Sequence, residues 1–140
     1  TGVPASAREL VLLMTDEDHV WTVPSPVPLV QWAIYGMKPG VKELAEGMPT
    51  QESLSAPPEL VGSFQAHTSF DVMGYRGPQP PPGAPHHYRF RIVALDRALD
   101  LPSATPASQV WQAVQGHIVG EGSLTVTYAR AVKPARKPVV

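Results

Sequence analysis

The sequence contains the stretch GYRGPQPPPGAPHHY at residues 74–88, and this stretch is the most informative guide to the fold. Its glycines and prolines favour turns, and the run of prolines is too rigid for a flexible linker, so residues 74–83 are predicted to form an ordered loop. From His86 to Asp96 the pattern changes to a period of two, which predicts a β-strand. The face of that strand predicted to contact apolar surroundings carries His86, Tyr88, Phe90, Ile92 and Ala94.

Two segments nearer the N-terminus also have the pattern of strands. Glu9–Asp16 (ELVLLMTD) is a continuous apolar run ended by an acidic residue, which is typical of a buried central strand. The segment 29–35 (LVQWAIY) alternates, which predicts Leu29, Gln31, Ala33 and Tyr35 on one face and Val30, Trp32 and Ile34 on the other. The prolines of residues 17–28 exclude a helix between these segments and predict an extended loop.

One helix and one further strand are predicted near the C-terminus. Thr105 offers an N-cap hydroxyl and Pro106 suits the first helical position. Apolar residues then recur at helical spacing and predict about three turns that end near Gly120: Ala107, Val110, Trp111, Val114 and Ile118. The segment 123–130 alternates like a strand, with Leu124, Val126 and Tyr128 predicted to point inward.

The composition limits the classes of protein and function. A chain of 140 residues is the size of one domain, and we predict a single domain over residues 1–131 followed by a basic tail at residues 132–140. The formal net charge of -1 argues against binding to nucleic acid. The chain has no cysteine, which excludes thiolate metal sites and cysteine nucleophiles. Its 17 prolines and 11 glycines favour β-structure with long loops.

Three motifs resemble the phosphatidylethanolamine-binding protein family, also called the Raf kinase inhibitor protein family, and in particular its bacterial branch. The family has a Gly-Tyr-x-Gly-Pro-x-Pro-Pro-x-Gly loop leading to His-Arg-Tyr, and this sequence has that loop at residues 74–83, followed by His86-His87-Tyr88. The family's Asp-Pro-Asp turn after a strand is seen here as Asp16-Glu17-Asp18. Its next strand carries a His before a Trp, and here Gln31 precedes Trp32. The resemblance extends over about residues 8–130.

The resemblance implies a mostly β fold, an antiparallel β-sandwich-like domain with a short C-terminal helix and a pocket at one end of the sheet. Family members usually carry an N-terminal segment with further strands before the position of Gly2, so those strands are expected to be missing here. The expected consequence is an exposed sheet edge and an open pocket wall, which pairing of two chains as a homodimer would cover.

In the family these motifs form a small anion pocket that accepts phosphate head groups. The resemblance therefore implies a ligand-binding site made of Asp16, Gln31, Gly77, Pro78, His86 and Tyr88. Phosphate needs several converging hydrogen-bond donors, which backbone N–H groups near Gly77, the His86 ring and the Tyr88 hydroxyl can supply. Asp16 is expected to orient the imidazole or to meet an ammonium group of the ligand. Gln31 cannot become cationic, so weak binding is expected.

The favoured function is a non-enzymatic binding or regulatory module, and the family name implies kinase-inhibitor-like regulation. The expected partner is a small phosphorylated ligand or a phosphoprotein, with no nucleic acid, no integral membrane association, no cofactor and no metal. One alternative is a protein-interaction scaffold with a degenerate pocket, because Glu17, Gln31 and His87 depart from the family motifs. A less favoured alternative is a hydrolase that uses Asp16 as base and His86 as acid.

The residues by themselves also allow simpler interpretations. Asp16 and Asp18 are equally typical of a solvated turn after a strand, and a lone His86 is more often a structural histidine than a ligand-binding one. No positively charged apolar leader is visible at the start of the sequence. A cytoplasmic location is therefore expected, with the periplasm and secretion left open.

Overall fold

The structure is a computed structural model that describes residues 2–19, 27–41, 44, 53–54, 58–68, 80 and 82–129. Its regular elements are β1 (Glu9–Asp16), β2 (Leu29–Met37), a 3-10 helix (Pro58–Leu60), β3 (Phe64–Gln65), β4 (His86–Leu95), α1 (Ala107–Val114) and β5 (Ile118–Tyr128). The strands form one sheet in the order β3-β2-β1-β4-β5. Every neighbouring pair is antiparallel. The predicted mostly β, antiparallel fold with one short helix is confirmed.

Strand β1 lies at the centre of the sheet, as its apolar sequence predicts. All eight of its residues are buried, and it pairs with β2 on one side and with β4 on the other. Its last residue, Asp16, lies opposite Tyr88 of β4 and Leu29 of β2. The end of the central strand is therefore surrounded by the starts of both neighbouring strands.

Two apolar clusters cover the two faces of the sheet. The cluster on the helix face, against which α1 packs, includes Val11, Leu13, Val93, Leu95, Val110 and Val114. The opposite face is called the site face below, and its cluster includes Leu10, Leu12, Met14, Trp32, Ile34, Tyr88 and Ala94. The alternation predicted for β4 agrees with this division, because its even-numbered apolar residues belong to the site face and Val93 and Leu95 to the helix face.

Strand β2 departs from the predicted alternation at Gln31. Thr15 pairs with Val30 and Met14 with Trp32, so Gln31 is the extra residue of a β-bulge. As a result, Val30 belongs to the helix face, while Trp32 belongs to the site face. The prediction that Val30 and Trp32 share a face was wrong, because a period of two fails wherever a strand contains an extra residue.

The helix is shorter than its apolar spacing predicts. It ends at Val114, and Ile118 begins β5 instead of continuing the helix. The chain leaves the helix at Gln115, which has an extended backbone, and at Gly116, whose φ of 82° is left-handed. Glycine adopts that conformation without a steric cost, so the chain can turn here, and the helix ends six residues before the predicted end at Gly120.

Thr105 does not cap the helix as predicted. The N-cap position is Pro106, which offers no side-chain hydrogen bond. The Thr105 hydroxyl instead donates to the Pro102 carbonyl oxygen at 2.7 Å, and the Tyr35 hydroxyl donates to the same oxygen at 2.6 Å. The loop before α1 is therefore tied to β2 by side-chain bonds.

The apolar side chains of β5 are exposed, which contradicts the inward orientation predicted for them. Leu124 is 64% exposed, Tyr128 is 46% exposed and Val126 is 36% exposed. They lie opposite Phe90, His86 and Tyr88 of β4, so all three project from the site face. Because β5 is the outermost strand and no second sheet occurs in the part of the chain that the structure describes, nothing there covers them.

Several predictions fall wholly or largely outside the described residues. Of the glycine- and proline-rich loop, the structure describes Pro80, Pro82 and Gly83, so Gly77 and Pro78 are not placed. The basic tail at residues 132–140 is likewise outside, and the domain boundary at residue 131 stays a prediction. Among the helices that are described, none is long and apolar enough to cross a membrane.

Candidate functional site

The centre of the candidate site is a pair formed by Asp16 and His86. Nδ1 of His86 lies 2.9 Å from Oδ2 and 3.1 Å from Oδ1 of Asp16. The Asp16 side chain is 4% exposed and the His86 side chain 17%. An ionised carboxylate can only accept hydrogen bonds, so Nδ1 of His86 must carry the proton that it donates. That bond fixes the tautomer of the ring and leaves Nε2 as the nitrogen available to a ligand.

The fold brings these two residues together through strand register. Asp16 ends β1 and lies opposite Tyr88, while His86 begins β4, two residues before Tyr88. Side chains two residues apart on a strand point to the same face, so His86 and Tyr88 both project from the site face. Their rings stack with centroids 6.5 Å apart and planes inclined by 28°.

Tyr88 is the most deeply buried polar group of the site. The residue has no exposed surface, and its hydroxyl has no hydrogen-bond partner within the described part of the chain. Burial raises the pKa of Tyr88 to about 12, together with the negative charge of Asp16 and a side-chain interaction with that carboxylate that falls outside hydrogen-bond geometry. The hydroxyl therefore stays protonated at neutral pH. It is a buried donor that forms no hydrogen bond with the described residues, and such a group calls for an explanation.

Gln31 is buried in the neighbouring strand, at 3% exposure. Its side-chain oxygen has no hydrogen-bond partner among the residues that the structure describes. It occupies the β-bulge next to the pairing of Thr15 with Val30, close to the end of β1 where Asp16 lies. The structure therefore brings Asp16, His86 and Tyr88 into one group and places Gln31 in the adjacent strand.

Two further residues near the site were not included in the prediction. Asp18 accepts hydrogen bonds from the backbone N–H of His87 and from its ring, with Nδ1 2.7 Å from Oδ2. Tyr128 lies directly opposite His86 in β5. Asp16 and Asp18 are two residues apart where β1 ends, and His86 and His87 are adjacent where β4 begins. This arrangement is a sequence signal that could have predicted the Asp18–His87 pair.

A cavity with mostly apolar walls lies away from this group. It has a volume of about 420 Å³ and apolar walls that include Leu10, Met37, Ile92 and Ala94. Leu10 is six residues before Asp16 in β1, which corresponds to roughly 20 Å along a strand. Within the described residues, no group of three or more histidine, aspartate or glutamate side chains is arranged to hold a metal ion.

Comparison with known proteins agrees with this fold. The sequence matches the family model for phosphatidylethanolamine-binding protein over residues 1–129. It is 37% identical over 132 residues to a UPF0098 protein of Methanothermobacter thermautotrophicus, covering 92% of this chain and 78% of the relative. CT736 of Chlamydia trachomatis, a phosphatidylethanolamine-binding protein homologue of known structure, is 30% identical with a TM-score of 0.72, covering 93% of this chain and 77% of that one.

The fold of the E. coli protein YbcL is also similar. The TM-score is 0.71 at 22% identity, and the match covers 93% of this chain and 76% of YbcL. At that identity the likeness concerns the fold. The match to the family model and the archaeal and chlamydial relatives establish the family itself. This chain belongs to the phosphatidylethanolamine-binding protein family.

Proposed function

We propose that this protein is a binding module for phosphate-bearing ligands and that the ligand binds at Asp16, His86 and Tyr88. The observation that carries the proposal is the buried Tyr88 hydroxyl without a partner beside a histidine whose ring Asp16 holds in place. Gln31, Gly77 and Pro78 complete the proposed site. In this proposal the ligand is a phospholipid head group or a phosphorylated residue of a partner protein, and the protein is not an enzyme.

The chemistry of the site suits a weakly bound anion. The Tyr88 hydroxyl can donate to a phosphate oxygen and stays neutral at physiological pH because its pKa is raised to about 12. Nδ1 of His86 donates to Asp16, so Nε2 donates to phosphate only when the ring carries both protons. Asp16 does not contact phosphate in this proposal, since its charge would repel the ligand. With an ionised Asp16 and both protons on the His86 ring, the pair would carry no net charge, and hydrogen bonds rather than net charge would hold the ligand.

A protein-interaction scaffold is the second candidate, and the exposed apolar row of Leu124, Val126 and Tyr128 supports it. A scaffold of this kind keeps its partner when His86 is replaced, whereas a phosphate-dependent module loses it. The hydrolase alternative is weaker, because Asp16 is already bonded to both His86 and the backbone N–H of Asp18. An aspartate in that position orients the histidine and is poorly placed to activate water.

The direct test is an amide NMR titration with O-phosphoethanolamine near pH 6.5, where histidine protonation is poised. We expect saturable shifts around His86 and Tyr88 that disappear in His86→Ala. His117→Ala is the matched control, because His117 also contacts an aspartate through Nδ1, at 3.0 Å from Asp96. Saturable binding in that control, and its loss in His86→Ala, support the proposal. An absence of shifts at millimolar ligand in a folded wild type would overturn it.

Homodimer formation is a separate part of the proposal, and strand β5 is the candidate interface. Charged residues and prolines usually keep an edge strand from pairing with another chain. Residues 122–128 (GSLTVTY) contain neither. Antiparallel pairing of two β5 strands around a two-fold axis would join two sheets and cover Leu124 and Val126. Sedimentation of wild type and Leu124→Lys tests this: a dimer that the lysine dissociates supports it, and a monomeric wild type rejects it.

A cytoplasmic location also stays a proposal.

A further inference from the structure

Asp18 and His87 close a ring of contacts around the Asp16–His86 pair. The backbone N–H of Asp18 donates to Oδ1 of Asp16 at 2.9 Å, and Oδ2 of Asp18 accepts from the backbone and ring of His87. His87 follows His86 in the chain, and the His86 ring contacts Asp16 through Nδ1. The backbone N–H of Glu17 also donates to the His87 carbonyl oxygen at 2.9 Å. The turn of residues 16–18 is thus fastened to the start of β4 at several points.

The two pairs of this ring differ in their exposure to solvent. The side chains of His87 and Asp18 are 52% and 41% exposed, while that of Asp16 is buried and that of His86 is mostly buried. An exposed ion pair adds little to global stability because water screens it. Its effect is local: it favours one position of the turn that carries Asp16.

We propose that Asp18 and His87 are positioning residues that hold Asp16 against His86, and that the strength of this hold depends on the protonation of His87. The inference rests on the proposed function, since it concerns how the same site is regulated. An arginine at the position of His87 would keep its charge at every physiological pH. Histidine gains or loses its charge between about pH 5 and 8, so in this chain the contact becomes sensitive to pH.

Among the described residues, Asp18 is the charged side chain that contacts His87. Asp18 faces it from the turn, and the His87 backbone N–H, followed by the ring, holds the pKa of Asp18 below its ordinary value. Arg89 lies two residues further along the same face of β4 and is bonded to Glu121 of β5 at 3.0 Å. The residue opposite His87 in β5 is Thr127, which is uncharged, and the buried Asp16–His86 pair projects from the other face of the sheet.

A double-mutant cycle separates positioning from a simple charge effect. Wild type, Asp18→Asn, His87→Arg and the double variant are titrated with O-phosphoethanolamine at about pH 5.5 and pH 7.5. Comparison at equal pH cancels the titration of the ligand. We expect Asp18→Asn to weaken binding about threefold at the lower pH, the scale of an exposed ion pair. His87→Arg should match wild type there and bind about threefold more tightly at the higher pH.

The double variant decides between the two explanations. If His87→Arg acts through Asp18, it gives no gain when Asp18→Asn is also present. An equal gain in both backgrounds would show that the added positive charge attracts the ligand directly, and the inference would be wrong. Asp96→Asn, which alters the comparably exposed Asp96–His117 pair away from the site, should leave binding unchanged.

A measurement without ligand keeps this inference separate from the proposed function. Hydrogen exchange of the Glu17 amide reports whether the turn stays bonded to His87. We expect Asp18→Asn to accelerate that exchange about threefold at pH 5.5, and Asp96→Asn to leave it unchanged. A wild type that does not bind O-phosphoethanolamine rejects the proposed function alone. A wild type that binds, with exchange and affinity both insensitive to Asp18→Asn, rejects the positioning role alone.

Discussion

Asp16 and His86 are 70 residues apart in the sequence, and their side chains meet at 2.9 Å where the central strand of the sheet ends and its neighbour begins. The contact depends on the antiparallel register that places Asp16 opposite Tyr88. It fixes the protonated nitrogen of His86 and directs a buried carboxylate away from solvent. The same contact therefore serves both the stability of the sheet end and the proposed site.

Replacing Asp16 with asparagine tests the strength of this contact. Asp16→Asn keeps an oxygen acceptor but removes the charge, so we expect the free energy of unfolding to fall by about 1–2 kcal/mol. Urea denaturation at pH 7 measures the change. Asp96→Asn is the control, because the Asp96–His117 pair is exposed and should contribute less than about 0.5 kcal/mol. Equal effects of the two substitutions would contradict a special role for the buried pair.

Replacing Tyr88 with phenylalanine separates binding from stability. The hydroxyl is buried without a partner in the described structure, so Tyr88→Phe should leave the unliganded protein as stable as wild type or more stable by up to about 1 kcal/mol. If the hydroxyl donates to the ligand, affinity for O-phosphoethanolamine should fall about fivefold. Urea denaturation and the NMR titration give the two values. A large loss of stability would instead indicate that the hydroxyl has a structural partner.

Tyr88 should also make the free energy of unfolding depend on pH in the alkaline range. In the folded protein Tyr88 keeps its proton up to a pKa of about 12, whereas the unfolded chain releases it near the ordinary value of 10.0. Between these values the unfolded state binds fewer protons, so the free energy of unfolding falls as the pH rises. Tyr88→Phe should lack this component, and denaturation of both proteins between about pH 9 and 11 would show a shallower decline in the variant.

The Glu9 carboxyl should make the free energy of unfolding depend on pH in the acidic range. Burial raises its pKa despite the hydrogen bond that its carboxylate accepts from the backbone N–H of Leu99. As the pH rises from the ordinary value of 4.5 to the raised value, the unfolded chain loses its proton first and the folded protein becomes less stable. We expect Glu9→Gln to be more stable than wild type at pH 7, with the difference shrinking toward pH 4.

Glu121 provides a comparison with the opposite sign. The hydrogen bond from Arg91 lowers its pKa, so its contribution to stability is present above pH 4.5 and is lost as the pH falls through the lowered value. Glu121→Gln should therefore be less stable than wild type at pH 7. Urea denaturation at pH 4, 5.5 and 7 tests both variants. Changes of the same sign in the two would contradict the assigned causes.

Two glycines of β5 form a matched pair for testing the packing of the N-terminal segment. A Cβ at Gly120 would approach Cγ of Pro4 to 2.9 Å and its Cδ to 3.0 Å, whereas a Cβ at Gly122 would meet nothing within 4 Å. The proline ring cannot rotate away, so Gly120→Ala should lower the free energy of unfolding by about 1–3 kcal/mol. Gly122→Ala should cause no steric loss. Thermal or urea denaturation measures both variants. Similar losses of stability in the two would contradict the close contact between Gly120 and Pro4.

The hydrophobic pattern of the sequence identifies two kinds of strand best. These are strands buried on both faces and strands in which apolar and polar residues alternate without interruption. Glu9–Asp16 could be predicted as a central strand because nothing but a buried position accommodates so continuous an apolar run. Gln31 could not be assigned correctly from its neighbours, because a β-bulge leaves no mark in the alternation of seven residues. The exposure of Leu124 likewise depends on what lies over the edge strand, and sequence periodicity carries no information about that.

The family, the main strands and the residue types of the candidate site could be read from the chain, because local pattern and motif spacing are properties of the chain alone. Which polar atoms meet became visible in the folded protein: Asp16 bonds His86, Asp18 bonds His87, and the Tyr88 hydroxyl lies buried beside them. These contacts depend on the register between strands that are far apart in the chain. A shift of one residue would carry His86 to the other face and Asp16 away from it.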